Sequence, residues 1–150
     1  VASRFIAAVA VLLIVPSIAL ADYGSATVDE ITSVIDGDTF RANVSEWPAV
    51  IGERIPIRIA GIDAPERRSR CDTEAEKIRE RELAADARIY LVERLRGADV
   101  IELRNIQRGS FFRVIAEVWV DGESVGQDML EAGHAVPYVK GRGGRGWCGL

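Results

Sequence analysis

The sequence is poor in the side chains that build many metal and nucleophile sites. Its 150 residues hold a single histidine, His134, which excludes zinc sites with paired histidines and hydrolases that need two. With nothing to pair with it, His134 reads as structural. Cys71 and Cys148 are too few for a four-cysteine zinc or iron–sulfur centre. Any metal must therefore be held by oxygen ligands. There is no internal repeat, and no linker divides residues 22–150. What is present, 48% hydrophobic and 28% charged side chains, is the composition of one globular domain.

Residues 1–21 read as a secretory signal peptide. Arg4 gives a positive start, Phe5 to Val15 is an apolar run of 11 residues, and Ala19-Leu20-Ala21 has the small-x-small form of a cleavage site. The run is short of the roughly 20 residues that span a bilayer. The expectation is export, to the periplasm or the medium, with no membrane attachment after cleavage. Removing Arg4 leaves 18 basic residues against 23 acidic, net −5. Bulk charge therefore does not drive nucleic-acid binding, and phosphate recognition would need a local basic site. In an oxidising compartment the even cysteine pair predicts a Cys71–Cys148 disulfide.

The pattern of elements is mainly β with helices. Residues 26–35 are β-branched and partly alternating, as in a strand; Asp36-Gly37-Asp38 is a turn signal, and Thr39 to Val44 returns. After a polar loop containing Trp47-Pro48, residues 54–60 alternate, placing Arg54 and Arg58 on the face away from Ile55, Ile57 and Ile59. Pro56 in this run favours an edge position. Residues 74–96 form the one strong helix, opened by a Thr73–Glu76 capping box and followed by Gly97. Its apolar residues Leu83, Ala84, Ala87, Leu91 and Leu95 recur at helical spacing. Strands at 99–106 and 113–120 and a short helix near 124–132 follow. Three strands, a long helix, two strands and a short helix fit a five-stranded barrel of the OB type, with an open α+β sheet as the alternative.

Asp38, Asp63 and Glu66 are each ordinary alone, as turn or strand-end residues. A calcium loop of the EF-hand kind is excluded, because the twelfth residue from Asp36 is Trp47 rather than glutamate. Together with Arg58 and Arg113, the three acids form the set that metal-assisted phosphodiester cleavage requires. Carboxylates hold a hard cation, which polarises a phosphoryl oxygen. A carboxylate base activates water, and planar guanidiniums meet a phosphate gaining charge.

The runs Val34-Ile35-Asp36-Gly37-Asp38-Thr39 and Ile57-Arg58-Ile59-Ala60-Gly61-Ile62-Asp63-Ala64-Pro65-Glu66 resemble the staphylococcal (micrococcal) nuclease family. The segments from Phe112 to Val118 and from Asp121 to Gly133 extend the resemblance, which covers about residues 27–140 in the family's order. It implies an OB-fold, calcium-dependent phosphodiesterase that cuts DNA and RNA with low sequence specificity and leaves 3′-phosphate ends. By the same resemblance, calcium is held by Asp38, Asp63 and the Ala64 carbonyl. Glu66 is the base that activates water, Arg58 and Arg113 stabilise the transition state, and Tyr138 contacts the nucleotide. The expected partners are DNA and RNA, met by a monomer with no stable protein partner.

The sequence departs from the family in two places. Gly109-Ser110-Phe111-Phe112-Arg113 stands where the family usually has Asp-Lys-Tyr-Gly-Arg, so a tyrosine hydroxyl is missing and an aromatic pair is added. That pair keeps open an alternative, a non-catalytic OB module that binds nucleic acid or a protein partner. The chain after residue 140 is rich in glycine and arginine where well-known members have a further helix. It reads as an irregular, solvated tail, with Lys140, Arg142 and Arg145 as the competing phosphate contacts. Its G-x-G-x-x-G spacing precedes no helix and is no dinucleotide site.

Overall fold

The computed structural model describes residues 22–142 and 144–150. The expected signal segment, residues 1–21, lies outside them. The first strand is split into β1 (Ala26–Thr27) and β2 (Glu30–Val34). Between them Val28 donates its N–H to Ile101 O and Asp29 donates to Asn43 O, both at 2.9 Å. Consecutive residues thus bond to strands on opposite sides, and this handover carries the strand from one edge of the sheet to the other.

The remaining long strands are β3 (Thr39–Asn43), β4 (Ile55–Ile59), β6 (Ile101–Arg108) and β7 (Val114–Val120). The sheet runs β1-β6-β7-β4-β3-β2, with β4 and β7 parallel and the other pairs on this path antiparallel. Because β1 and β2 are halves of one strand, the two ends of this order meet and the sheet curls into the expected five-stranded OB-type barrel. The two-residue strand β8 (Glu123–Ser124) adds to β7. A separate pair joins β5 (Ile62–Asp63) to β9 (Val136–Pro137).

Three helices accompany the sheet, one more than the sequence pattern indicated. The four-residue α1 (Ala49–Gly52) lies in the loop after Pro48; α2 spans Glu74–Arg96 and α3 spans Val125–Glu131. The Thr73–Glu76 capping box is formed on both sides, so the sequence signal at the start of α2 is met in full. The helix buries Glu80, Ala84, Ala87, Leu91 and Leu95, and Leu83 is only half-buried. These side chains cover a core that includes Phe40, Ile57, Ile59, Leu103, Val118 and Met129.

Two expectations for β4 need correction. It lies between β3 and β7 rather than at an edge, but its ladder with β7 begins at Ile57, so Pro56 costs that ladder no bond. Arg54 precedes the strand with φ +52° and gives its N–H to Asn43 Oδ1, so it does not share the face of Arg58. Among the described residues, no helix is long and apolar enough to cross a membrane.

Candidate active site

The Asp36-Gly37-Asp38 turn is held tightly against α2. A Cβ on Gly37 would stand 2.7 Å from Ala87 Cβ and 2.8 Å from Ala64 Cβ, so only glycine allows this approach. Asp36 Oδ1 accepts the Asp38 N–H at 3.2 Å, the side-chain-to-backbone bond of an Asx turn. These contacts deliver the Asp38 carboxylate into the barrel wall, where it is buried. Its Oδ1 accepts the Thr39 hydroxyl at 2.7 Å and its Oδ2 accepts the Ala64 N–H at 3.1 Å.

Arg58 joins Asp38 to Asp63. Thr39 and Arg58 are register partners across β3 and β4, so the guanidinium rises beside the carboxylate that precedes Thr39. Nη1 lies 2.9 Å from Asp38 Oδ1 and Nη2 lies 3.1 Å from Asp63 Oδ1. Asp63 lies in the short β5–β9 pairing, opposite Val136. Burial pushes the Asp38 carboxyl up to about 6, against the pull of the Arg58 charge. Asp63 and Glu66 are also raised, each first by burial and next by the neighbouring Asp38 charge. Two buried carboxylates crowd one guanidinium. This all-oxygen, cation-seeking donor set fits a hard divalent ion.

Arg58, Glu66 and Arg113 line a cleft of about 320 Å³, together with Ile35, Asp36, Thr39, Pro56, Ser110 and Phe111. Arg113 Nε is buried and finds no hydrogen-bond partner among the described residues. A larger cavity of about 340 Å³ adjoins it, lined mainly by apolar residues including Tyr23, Trp47, Ile51, Ile106 and Phe112, and sharing Arg113. The smaller cleft is the candidate site, because Arg58, Arg113 and Glu66 line it together. Phe111 and Phe112, 96% and 71% exposed, stand one at each cavity.

The other expected residues are placed less centrally. Tyr138 is exposed just beyond β9, and its N–H bonds to Gly61 O, next to β5. Ala64 is buried beside Asp38, and the bond it makes there is through its N–H. His134 packs on Tyr90 with ring centroids 4.6 Å apart, in keeping with a structural role. The acids of the cleft are not the most tightly gathered ligand atoms. Among the described residues, the group of three within 4.8 Å is Cys71, Glu80 and Cys148. Cys71 and Cys148 are joined in the expected disulfide, which leaves no thiolate to ligate a metal.

Sequence reasoning missed two contributors. Glu80 is buried on α2 and its Oε1 accepts the Glu66 N–H at 3.0 Å; its position, in step with Ala84, Ala87 and Leu91, was a readable signal. The tail is irregular as expected but is packed rather than wholly solvated. Trp147 Nε1 donates to Asp63 O at 3.1 Å, and Arg145 pairs with Asp72 at 2.8 Å.

The barrel carries an arginine–carboxylate cleft on an OB-type fold. The model for staphylococcal nuclease homologues matches residues 56–144, more than half of the chain, and the chain belongs to that family. Asp38 lies outside this stretch, and the β3–β4 register is what brings it to Arg58. The chain is also similar to the "Probable endonuclease LCL3" of Pyricularia oryzae (strain 70-15 / ATCC MYA-4617 / FGSC 8958), 32% identical over 128 residues. That alignment covers 72% of this chain and 47% of the relative, so the chain spans about half the relative's length.

Proposed function

We propose that this chain is a divalent-cation-dependent phosphodiesterase that cleaves DNA and RNA with low sequence specificity. The observation that carries the reading is the bridge from Asp38 through Arg58 to Asp63, with Arg58 also lining one cleft with Glu66 and Arg113. Membership of a nuclease family and similarity to a probable endonuclease support it.

Asp38, Asp63 and the Ala64 carbonyl would hold the cation, for which calcium is the proposed ion. When bound, the cation supplies Lewis-acid polarisation of a phosphoryl oxygen. Glu66, whose carboxyl is raised by burial, orients a water and takes its proton. Arg58 and Arg113 meet the phosphate oxygens as their charge grows, and Arg113 Nε has a donor to give. Tyr138, exposed just beyond β9, is the proposed nucleotide contact. Recognition directed at phosphate rather than base edges accounts for low sequence specificity. Breaking the bond to the 5′ oxygen leaves 3′-phosphate ends. We further propose that the protein is exported and acts as a monomer, the oxidised Cys71–Cys148 pair being suited to that compartment.

The test is digestion of heat-denatured DNA and of RNA with calcium, with other divalent ions and with chelator, followed by end-group analysis. Calcium-dependent cleavage to 3′-phosphates is expected. Binding without cleavage under every ion would favour the non-catalytic module instead.

A further inference from the structure

The C-terminal segment meets Asp63 and Glu66 at three points, through Trp147, Gly146 and Gly144, and a disulfide locks it there. Cys148 is bonded to Cys71, five residues beyond Glu66, with the Cα atoms 5.3 Å apart. Trp147 gives its indole N–H to the main-chain oxygen of Asp63 at 3.1 Å. Gly146 is buried so closely against the same residue that a Cβ would stand 2.6 Å from Asp63 Oδ2. Gly144, at φ +74°, approaches the Glu66 side chain, where a Cβ would lie 3.4 Å from Oε1. The Arg145–Asp72 pair adds a further tie, on the solvent side.

We propose that Trp147 is a positioning residue for Asp63, and that segment 144–148, latched by Cys71–Cys148, forms the outer wall of the cation site. The inference rests on Asp63 being a cation ligand, as proposed above. Asp63 sits on a strand of two residues, so β5–β9 pairing alone gives it little support. Trp147 fixes the main chain of Asp63 from outside, while Gly146 lets the wall close without pushing Oδ2 out of place. Losing a group that orients a metal ligand typically costs about 10- to 100-fold in metal affinity.

The experiment is calorimetric titration of the oxidised full chain with calcium, well below its melting temperature, comparing wild type with Trp147→Phe, Gly146→Ala and Cys71→Ser/Cys148→Ser. Trp147→Phe keeps an aromatic ring but removes the five-membered half of the indole with its N–H, and about three- to tenfold weaker calcium binding is expected. Gly146→Ala displaces the carboxylate, and a loss of about 10- to 100-fold is expected. The double serine variant should match the Trp147→Phe loss, and adding Trp147→Phe to it should cost nothing more. Lowered melting temperature with wild-type calcium affinity in Trp147→Phe would show a merely structural role and overturn the proposal. Fully additive losses would overturn the latch. Should Gly146→Ala fail to fold, Trp147→Phe decides. A wild-type protein that binds no divalent ion would overturn the cation reading and this inference together, whereas a binding wild type with unaffected variants overturns this inference alone.

Discussion

Glu80, deep on the buried face of α2, accepts the backbone N–H of Glu66 at 3.0 Å. The long helix thereby holds the segment that carries the proposed base. Glutamine at position 80 preserves an acceptor of the same shape, while alanine leaves the Glu66 N–H without its partner. Glu80→Ala should therefore cost about 1–3 kcal/mol of stability and lower turnover more than Glu80→Gln does. Urea unfolding and initial rates on the two variants check this. Equal turnover in both would detach Glu80 from the placement of Glu66.

The Asp38 carboxyl, raised by burial from 3.8 to about 6, ties cation affinity and folding to pH in opposite senses. Between those values the folded protein keeps a proton that the unfolded chain has lost. This group's contribution to stability is thus greatest below 3.8 and is lost as pH rises through about 6. A cation binds the ionised form, so its affinity should fall about tenfold for each unit below that point. Calcium titrations at about pH 5 and about pH 7.5, with melting curves in chelator, measure both trends. Calcium affinity independent of pH would remove Asp38 from the ligand set.

The Cys71–Cys148 bond closes a loop with a sequence separation of 77. In the chain-entropy model such a closure stabilises the fold by about 4–5 kcal/mol. Cys71→Ser/Cys148→Ser should lose stability of that order in urea unfolding at neutral pH. A loss below about 1 kcal/mol would mean that the loop is already ordered in the unfolded chain.

Phe112 sits at φ +61°, the left-handed region that favours glycine, and the family usually has glycine at that position. Relieving the left-handed cost of about 1–2 kcal/mol, less the greater freedom of glycine when unfolded, leaves a net gain of about 0.5–1 kcal/mol for Phe112→Gly. If the exposed ring stacks on bases, the same variant should bind single strands about 5- to 100-fold more weakly. Unfolding curves and single-strand binding isotherms separate the two effects. A stabilised variant with unchanged binding would leave Phe112 strained and without a stacking role.

Much of this architecture was legible because its determinants are local. The capping box at Thr73–Glu76 set the start of α2, and the isoleucine alternation of β4 set the face of Arg58. The split of the first strand was not legible. It depends on Val28 and Asp29 bonding to opposite neighbours, a consequence of barrel closure that no period-2 pattern encodes. The left-handed Arg54 broke the alternation for a similar reason, its N–H being taken by Asn43. In the site, Asp38, Arg58, Asp63, Glu66 and Arg113 were singled out by residue type and resemblance. Glu80 lay on a stripe of apolar positions and was passed over as a surface acid. The contact of Trp147 with Asp63 spans 84 positions, and glycine-rich composition gives no sign of it.

The most direct measurement is the rate of DNA cleavage by Glu66→Gln beside wild type, in saturating calcium and at equal foldedness by circular dichroism. If the cleft is a phosphodiesterase site with Glu66 as its base, the rate should fall by about 10²- to 10⁴-fold while calcium binding persists. A variant that cleaves near the wild-type rate would show that Glu66 is not the base and that the chemistry lies elsewhere.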